Sequence, residues 1–155
     1  MQKKKLTKEQ ALQKLRHYCR YQERCRSEVK DKLFELGVPA IEHDELLTEL
    51  TDENYLDEER FAIAFTVGRF KMRQWGRKKI SYELKGKRVA EGAIQKALEH
   101  VNENDYLQIL RKLADEKYVS LKSDQHLIRK KKTINYLLQK GYEADLVKTL
   151  FENMN

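Results

Sequence analysis

A period of roughly fifty residues constrains this chain more than any other feature of its sequence. With Val38 as an anchor, the equivalent position recurs 51 residues on at Val89 and 53 further at Tyr142. Val29 and Ile80 stand nine residues before the first two anchors, and Leu33, Leu84 and Leu137 stand five before all three. Eight, nine and twelve residues after the anchors come Leu46, Leu47 and Leu50, then Ala97, Leu98 and Val101, then Leu150, Phe151 and Met154. Thr133, nine before Tyr142, is the one polar exception. A repeat of this length is one supersecondary unit whose neighbours complete its burial. The divisions it predicts are 1–56, 57–102 and 103–155.

Each unit reads as three helices. Six glycines and one proline in 155 residues leave little material for hairpins or glycine-rich loops, so the chain is predicted to be all-α. Thr7 and Gln10 have capping-box spacing ahead of a helix with Ala11, Leu15 and Tyr18 on one face. A second helix holds Val29, Leu33 and Leu36 and stops at Gly37; Pro39 opens the third, where its missing N–H costs nothing. Asp57 is a natural cap for a long helix in the middle unit. There Phe61, Phe65, Gly68, Met72 and Trp75 fall at helical spacing as a predicted core face. Small three-helix units that share interfaces predict an elongated, curved tandem.

The chain carries a net charge of +7, unevenly distributed. Between Leu33 and Glu59 there are ten acids and no Lys or Arg; between Arg69 and Arg88 there are nine bases and only Glu83 to oppose them. A basic middle unit suits an anionic partner. If Ile80 and Leu84 face inward, then Lys78, Tyr82 and Lys85 face outward together, and Arg69 and Arg73 form a second pair one turn apart. Trp75 among Arg73, Arg77 and Lys78 fits base stacking, but as the end of an apolar stripe it fits core packing better. Lys3–Lys5 reads as a frayed tail, and Arg129–Lys132 either extends the basic surface or solvates a helix.

Several function classes drop out. No stretch is apolar enough for a membrane span or a signal peptide. Cys19 and Cys25, six apart, match no zinc spacing and read as reduced, partly buried thiols. The four histidines are scattered, and there is no phosphate loop or nucleophile signature, so no metal, cofactor or catalytic activity is expected. A helix-turn-helix DNA reader would place its third helices on DNA. Segments 40–50, 90–100 and 143–152 carry an excess of acid, which phosphate would repel.

The stretch Leu56-Asp-Glu-Glu-Arg-Phe-Ala62, then Arg69, then Gly76-Arg-Lys-Lys-Ile80 with Glu83-Leu84, resembles the signature of the RecX family of recombination regulators. Arg26-Ser-Glu, Lys32-Leu33 and Gly37-Val38 are similar to that family's first-unit pattern, and agreement runs from about Thr7 onward. One departure stands out: where the family has glycine before the anchor Val89, this chain has Arg88, with Gly86 two residues earlier, so the turn there is expected to differ.

The resemblance implies a cytoplasmic, bacterial, non-enzymatic protein of three helix-turn-helix-like units, expected as a monomer. It implies action in homologous recombination, DNA repair and the SOS response, mainly as an inhibitor of RecA recombinase. Its partners would be RecA filaments on single-stranded DNA, with duplex DNA as an open second target. Arg69, Arg73, Arg77, Lys78, Lys79, Tyr82, Lys85, Lys87 and Arg88 are the candidate contacts. The rival readings are a helix-turn-helix-like module acting directly on DNA, and an adaptor whose acidic surface, Glu42–Glu59, binds a basic protein.

Overall fold

The computed structural model describes residues 6–153, so Lys3–Lys5 and Met154 lie outside the described residues. The described chain forms nine α-helices and no strand: α1 (Lys8–Tyr21), α2 (Arg26–Glu35), α3 (His43–Asp52), α4 (Glu58–Arg73), α5 (Arg77–Gly86), α6 (Glu91–Leu98), α7 (Glu103–Ser120), α8 (His126–Gln139) and α9 (Ala144–Glu152). The fold is all-α and repeated. Its surface of 10412 Å² exceeds the roughly 8,200 Å² expected of a compact chain of this mass, which fits an elongated tandem.

The caps follow from local chemistry. Thr7 closes a reciprocal capping box with Gln10, and Asp57 and Asn102 accept from backbone amides three residues on. The third helix of the first unit begins differently from the sequence expectation. Pro39 precedes a short 3₁₀ turn, Ala40–Glu42, and α3 starts only at His43. The buried His43 ring is hydrogen-bonded to the Val38 carbonyl at 2.8 Å and ties that turn down.

The repeat is visible in individual backbone bonds. Val38, Val89 and Tyr142 each donate to a carbonyl five residues back, Leu33, Leu84 and Leu137, at 3.0–3.1 Å. The preceding residues, Gly37, Arg88 and Gly141, each donate to a carbonyl three back and have φ of +77°, +64° and +98°. All three α2–α3-type turns are therefore the same left-handed helix stop. The turn at Arg88 does not differ, contrary to the sequence expectation: six-to-one bonding fixes its shape, and arginine takes the left-handed conformation. That conformation costs a non-glycine residue about 1–2 kcal/mol. Arg88→Gly is expected to raise stability by about 0.5–1 kcal/mol, read as a higher urea midpoint at unchanged slope.

Thr133 keeps the repeat despite its polarity. It is fully buried, and its hydroxyl donates to the Arg129 carbonyl at 2.8 Å. First and third helices are also clasped at one recurring separation of 37 residues. Lys8 pairs with Glu45 and Arg16 with Glu53 in the first unit, Lys96 with Glu59 in the second, and Tyr106 with Glu143 in the third.

The core face of α4 follows the predicted stripe only in part: Phe61 is buried and Phe65 packs against the core, but the face then shifts to Ala62, Thr66 and Phe70. Phe61, Ala62, Thr66 and Phe70 are buried, Gly68 is only half-buried, and Met72 is 85% exposed. The seat of Phe70 against Tyr106, with ring centroids 5.8 Å apart, sets the rotation of the helix. Gln74 ends α4 in the left-handed conformation, so Trp75 lies beyond the helix and packs at the core's edge.

The units are joined unequally. Residues of the first unit form their own apolar cluster around Leu12, Leu15, Leu33, Leu46 and Leu50. The second and third share one core, through which Phe70, Tyr106 and Tyr142 run as an aromatic ladder. The first unit meets the second through polar contacts: Arg60 on Glu23 at 2.7 Å, Lys87 on Glu28 at 3.3 Å, and Ser27 on the Lys87 carbonyl at 2.7 Å. Only Cys25, which precedes α2, reaches the shared core. Cys19 lies in α1, so no single helix carries both thiols; both are free, and burial pushes Cys19 up to about 11.

Candidate functional site

Two glycines place the second and third units in backbone contact. Gly76 donates to the Lys140 carbonyl at 2.8 Å, and Lys78 donates to the Gly141 carbonyl at 2.9 Å. A methyl group on Gly76 would collide with the Gly141 carbonyl, and one on Gly141 would collide with the Lys79 backbone. The turn between α8 and α9 thus covers the start of α5 and fixes the basic segment 77–88 on the third unit.

Arg77 is part of this joint. It pairs with Glu103 and Glu143, both at 2.8 Å, with its guanidinium carbon 3.9 Å from the centre of the Tyr106 ring. Burial opposes its charge, but the bond to Glu103 and the charge of Glu143 outweigh it and raise its pKa further. Tyr106 donates to Glu143 and accepts from the Arg77 amide; burial first, and the Glu143 bond second, push its ionisation well above the ordinary value. Arg77 is therefore a strut between units.

The other predicted contacts divide into two groups and two outliers. Ile80 and Leu84 are fully buried, which turns Lys78, Tyr82 and Lys85 outward on α5, with Tyr82 75% exposed. Lys85 has one exposed partner, Glu91 at 3.5 Å, a pair that contributes little. The second group surrounds Trp75. Lys79 Nζ lies 4.6 Å from the indole centre, and the Arg69 and Arg73 guanidinium carbons lie at 5.6 and 5.8 Å. Arg69 also covers the Phe65 ring at 4.5 Å and is half-buried. Lys87 is held by Glu28, and Arg88 lies exposed in a cleft of about 600 Å³ between the first and second units.

Lys140, absent from the sequence prediction, belongs with the Trp75 group. Its ammonium donates to the Arg73 carbonyl at 2.8 Å, and burial together with the nearby Lys79 lowers its pKa. Its sequence surroundings give no hint of this, because it reaches Arg73 only through the packing of two units.

The acidic stretch looks different in three dimensions. Of its ten acids, eight have a partner among the described residues. Glu45 and Glu49 meet Lys8, Glu53 meets Arg16, Asp44 meets Arg26, Glu35 meets Lys32 and Glu59 meets Lys96. Asp57 caps α4, and Glu58 accepts from the Arg26 amide. The sequence segregation is thus largely neutralised on the acidic side. On the basic side, Arg69, Arg73, Lys78, Lys79 and Arg88 have no carboxylate partner among the described residues. Arg129 covers the Tyr118 ring and Lys132 pairs with Asp124, so half of that cluster is engaged locally. Among the described residues there is no cluster able to hold a metal, and no helix is long and apolar enough to cross a membrane.

Comparison with known proteins identifies the family and the fold. Models of the second and third three-helix domains of RecX match residues 57–98 and 103–151, together more than half of the chain. Regulatory protein RecX of Oceanobacillus iheyensis is 29% identical over 139 residues, which are 90% of this chain and 51% of that protein. That of Clostridium perfringens strain 13 is 31% identical over 130 residues, 82% of this chain and 60% of that protein. The chain thus spans between half and three-fifths of the length of these curated relatives. Among solved structures, a crystal structure of regulatory protein RecX superposes with a TM-score of 0.86 at 21% identity, covering 94% of this chain and 73% of that one. RecX from Lactobacillus salivarius gives 0.83 at 22%, covering 94% and 95%; at these identities the likeness establishes the shared fold. The chain belongs to the RecX family of regulatory proteins.

Proposed function

We propose that this chain regulates RecA recombinase, mainly as an inhibitor, by binding RecA filaments on single-stranded DNA and modulating strand exchange and ATP hydrolysis. It does so in the cytoplasm, without chemistry of its own, through three units divided at 56–57 and 102–103. Family membership supports the regulatory role. The observation that carries the binding mode is the surviving asymmetry of charge. The acids of the stretch 33–59 are mostly paired, whereas Lys78 on the outward face of α5 and the cations around Trp75 have no carboxylate partner among the described residues. Such a surface gains by releasing the counter-ions of a phosphate backbone or by meeting an acidic protein face. The paired state of the acidic stretch weighs against an adaptor for basic proteins.

Lys78 and Lys85 face solvent on either side of Tyr82, so reversing them leaves the core untouched. Lys78→Glu/Lys85→Glu is expected to weaken co-sedimentation with RecA–DNA filaments by roughly tenfold or more at moderate salt, with unchanged helicity. Unaltered binding by the folded double variant would remove α5 from the interface.

A further inference from the structure

Four cations converge on one side of the second–third junction without a carboxylate partner among the described residues: Arg69, Arg73, Lys79 and Lys140. Three of them ring the indole of Trp75, and the fourth is held at the end of α4 by the Arg73 carbonyl. Bringing like charges together costs free energy that only a counter-ion returns. Lys140 registers that cost, because burial and Lys79 both disfavour its charged form. The Nε of Arg69 is buried with no hydrogen-bond partner, so the group is unsatisfied as well as uncompensated. No other aromatic ring in the described chain carries three cations.

We propose that this junction binds a segment of unpaired nucleic-acid strand, with one base against the indole of Trp75 and the flanking phosphates on Arg73, Lys79 and Lys140. An anion alone would need only the charges. The half-exposed indole among them adds a flat surface, and an unpaired base offers a matching face that a duplex keeps stacked inside. To admit the base, Lys79 moves off the ring onto a phosphate, an exchange of a cation–π contact for a charge-assisted one. The site exists only where the two units meet, since Trp75 and Lys79 come from one and Lys140 from the other. The inference refines the proposed function by separating a strand-binding junction from the outward face of α5, but it makes no use of RecA.

Trp75 is the only tryptophan of the chain, so its emission reports on the site directly. Titration of the protein with short oligothymidylate, RecA absent, is expected to quench that emission to saturation, with affinity falling as salt rises. Lys140→Gln and Lys79→Gln, checked for unchanged melting, are each expected to weaken binding by about threefold to tenfold. Lys148→Gln, an exposed lysine on α9 away from the junction, is expected to change it little. Equal quenching by inorganic tripolyphosphate at the same phosphate concentration would overturn the base contact. Oligonucleotide binding that leaves the emission unchanged, or that Lys140→Gln does not weaken, would overturn the site. Quenching by RecA without DNA, and not by the oligonucleotide, would reassign the cluster to an acidic protein surface. Filament co-sedimentation that persists after any of these failures leaves the proposed function standing.

Discussion

Gly141→Ala is expected to cost about 3 kcal/mol or more, measured by urea unfolding, with a fall in Tm of roughly 6–12 °C. Gly141 has φ of +98°, which costs an L-residue about 1–2 kcal/mol. Its new methyl group would also meet the Lys79 backbone, which has no rotamer with which to yield. Relief requires α5 to move off the α8–α9 turn. That loosens the Gly76–Lys140 and Lys78–Gly141 backbone bonds, about 1 kcal/mol each. Gly37→Ala provides the control. Gly37 occupies the equivalent turn at φ +77°, but nothing lies within 4 Å of its missing Cβ. Only the conformational cost of about 1 kcal/mol is expected there. Similar losses at both glycines would mean that the second and third units are not locked by backbone contact.

The second large effect is expected at Arg77. Arg77→Ala removes two ion pairs and a stacked guanidinium, and it leaves Glu143 held by Tyr106 alone in a half-buried site. A loss of about 2–3 kcal/mol is expected, because stripping one partner from a shielded carboxylate costs more than the pair contributes at the surface. Arg77→Lys restores charge but cannot bridge Glu103 and Glu143 in two directions, so it should recover only part of the loss. Tyr106→Phe combined with Arg77→Ala should cost less than the two single losses added, since both act through Glu143. Strict additivity in that cycle would argue against one connected network. The same experiments separate stability from function, because Arg77 is a strut while Lys78, two residues from the buried Ile80 and so on the opposite face of α5, is not.

Much of this architecture is legible in the sequence because a repeat restates the same physical demand three times. Leu33, Leu84 and Leu137 recur because each unit needs a buried residue at the carbonyl that ends its second helix, and Gly37 and Gly141 recur because that end is left-handed. Arg88 shows the limit of reading the glycine alone: the turn is imposed by hydrogen bonding and burial around it, so a residue with a Cβ is carried into the same conformation. The stripe on α4 was less legible, since Phe65 and Phe70 are both large and apolar and periodicity cannot tell which one faces Tyr106.

Charge was read correctly in sign and incompletely in space. Lys8, Arg16 and Arg26 are remote in sequence from the acids they neutralise, and only the packing of α1 and α2 on α3 brings them together. Lys140 joins Arg73 across 67 residues for the same reason. A linear scan finds the basic segment but assigns to it Arg77 and Lys87, which face carboxylates of neighbouring units, and passes over the lysine that completes the cluster.

A regulator that binds RecA filaments, as proposed above, acts through one molecule on many RecA subunits. The most direct test is the single-stranded-DNA-dependent ATPase of RecA with this protein titrated in well below the RecA concentration. A marked fall at these substoichiometric levels is the predicted result. A fall that appears only when the protein is abundant enough to cover the DNA would mean competition for phosphate, and it would exclude control of the filament by a bound minority.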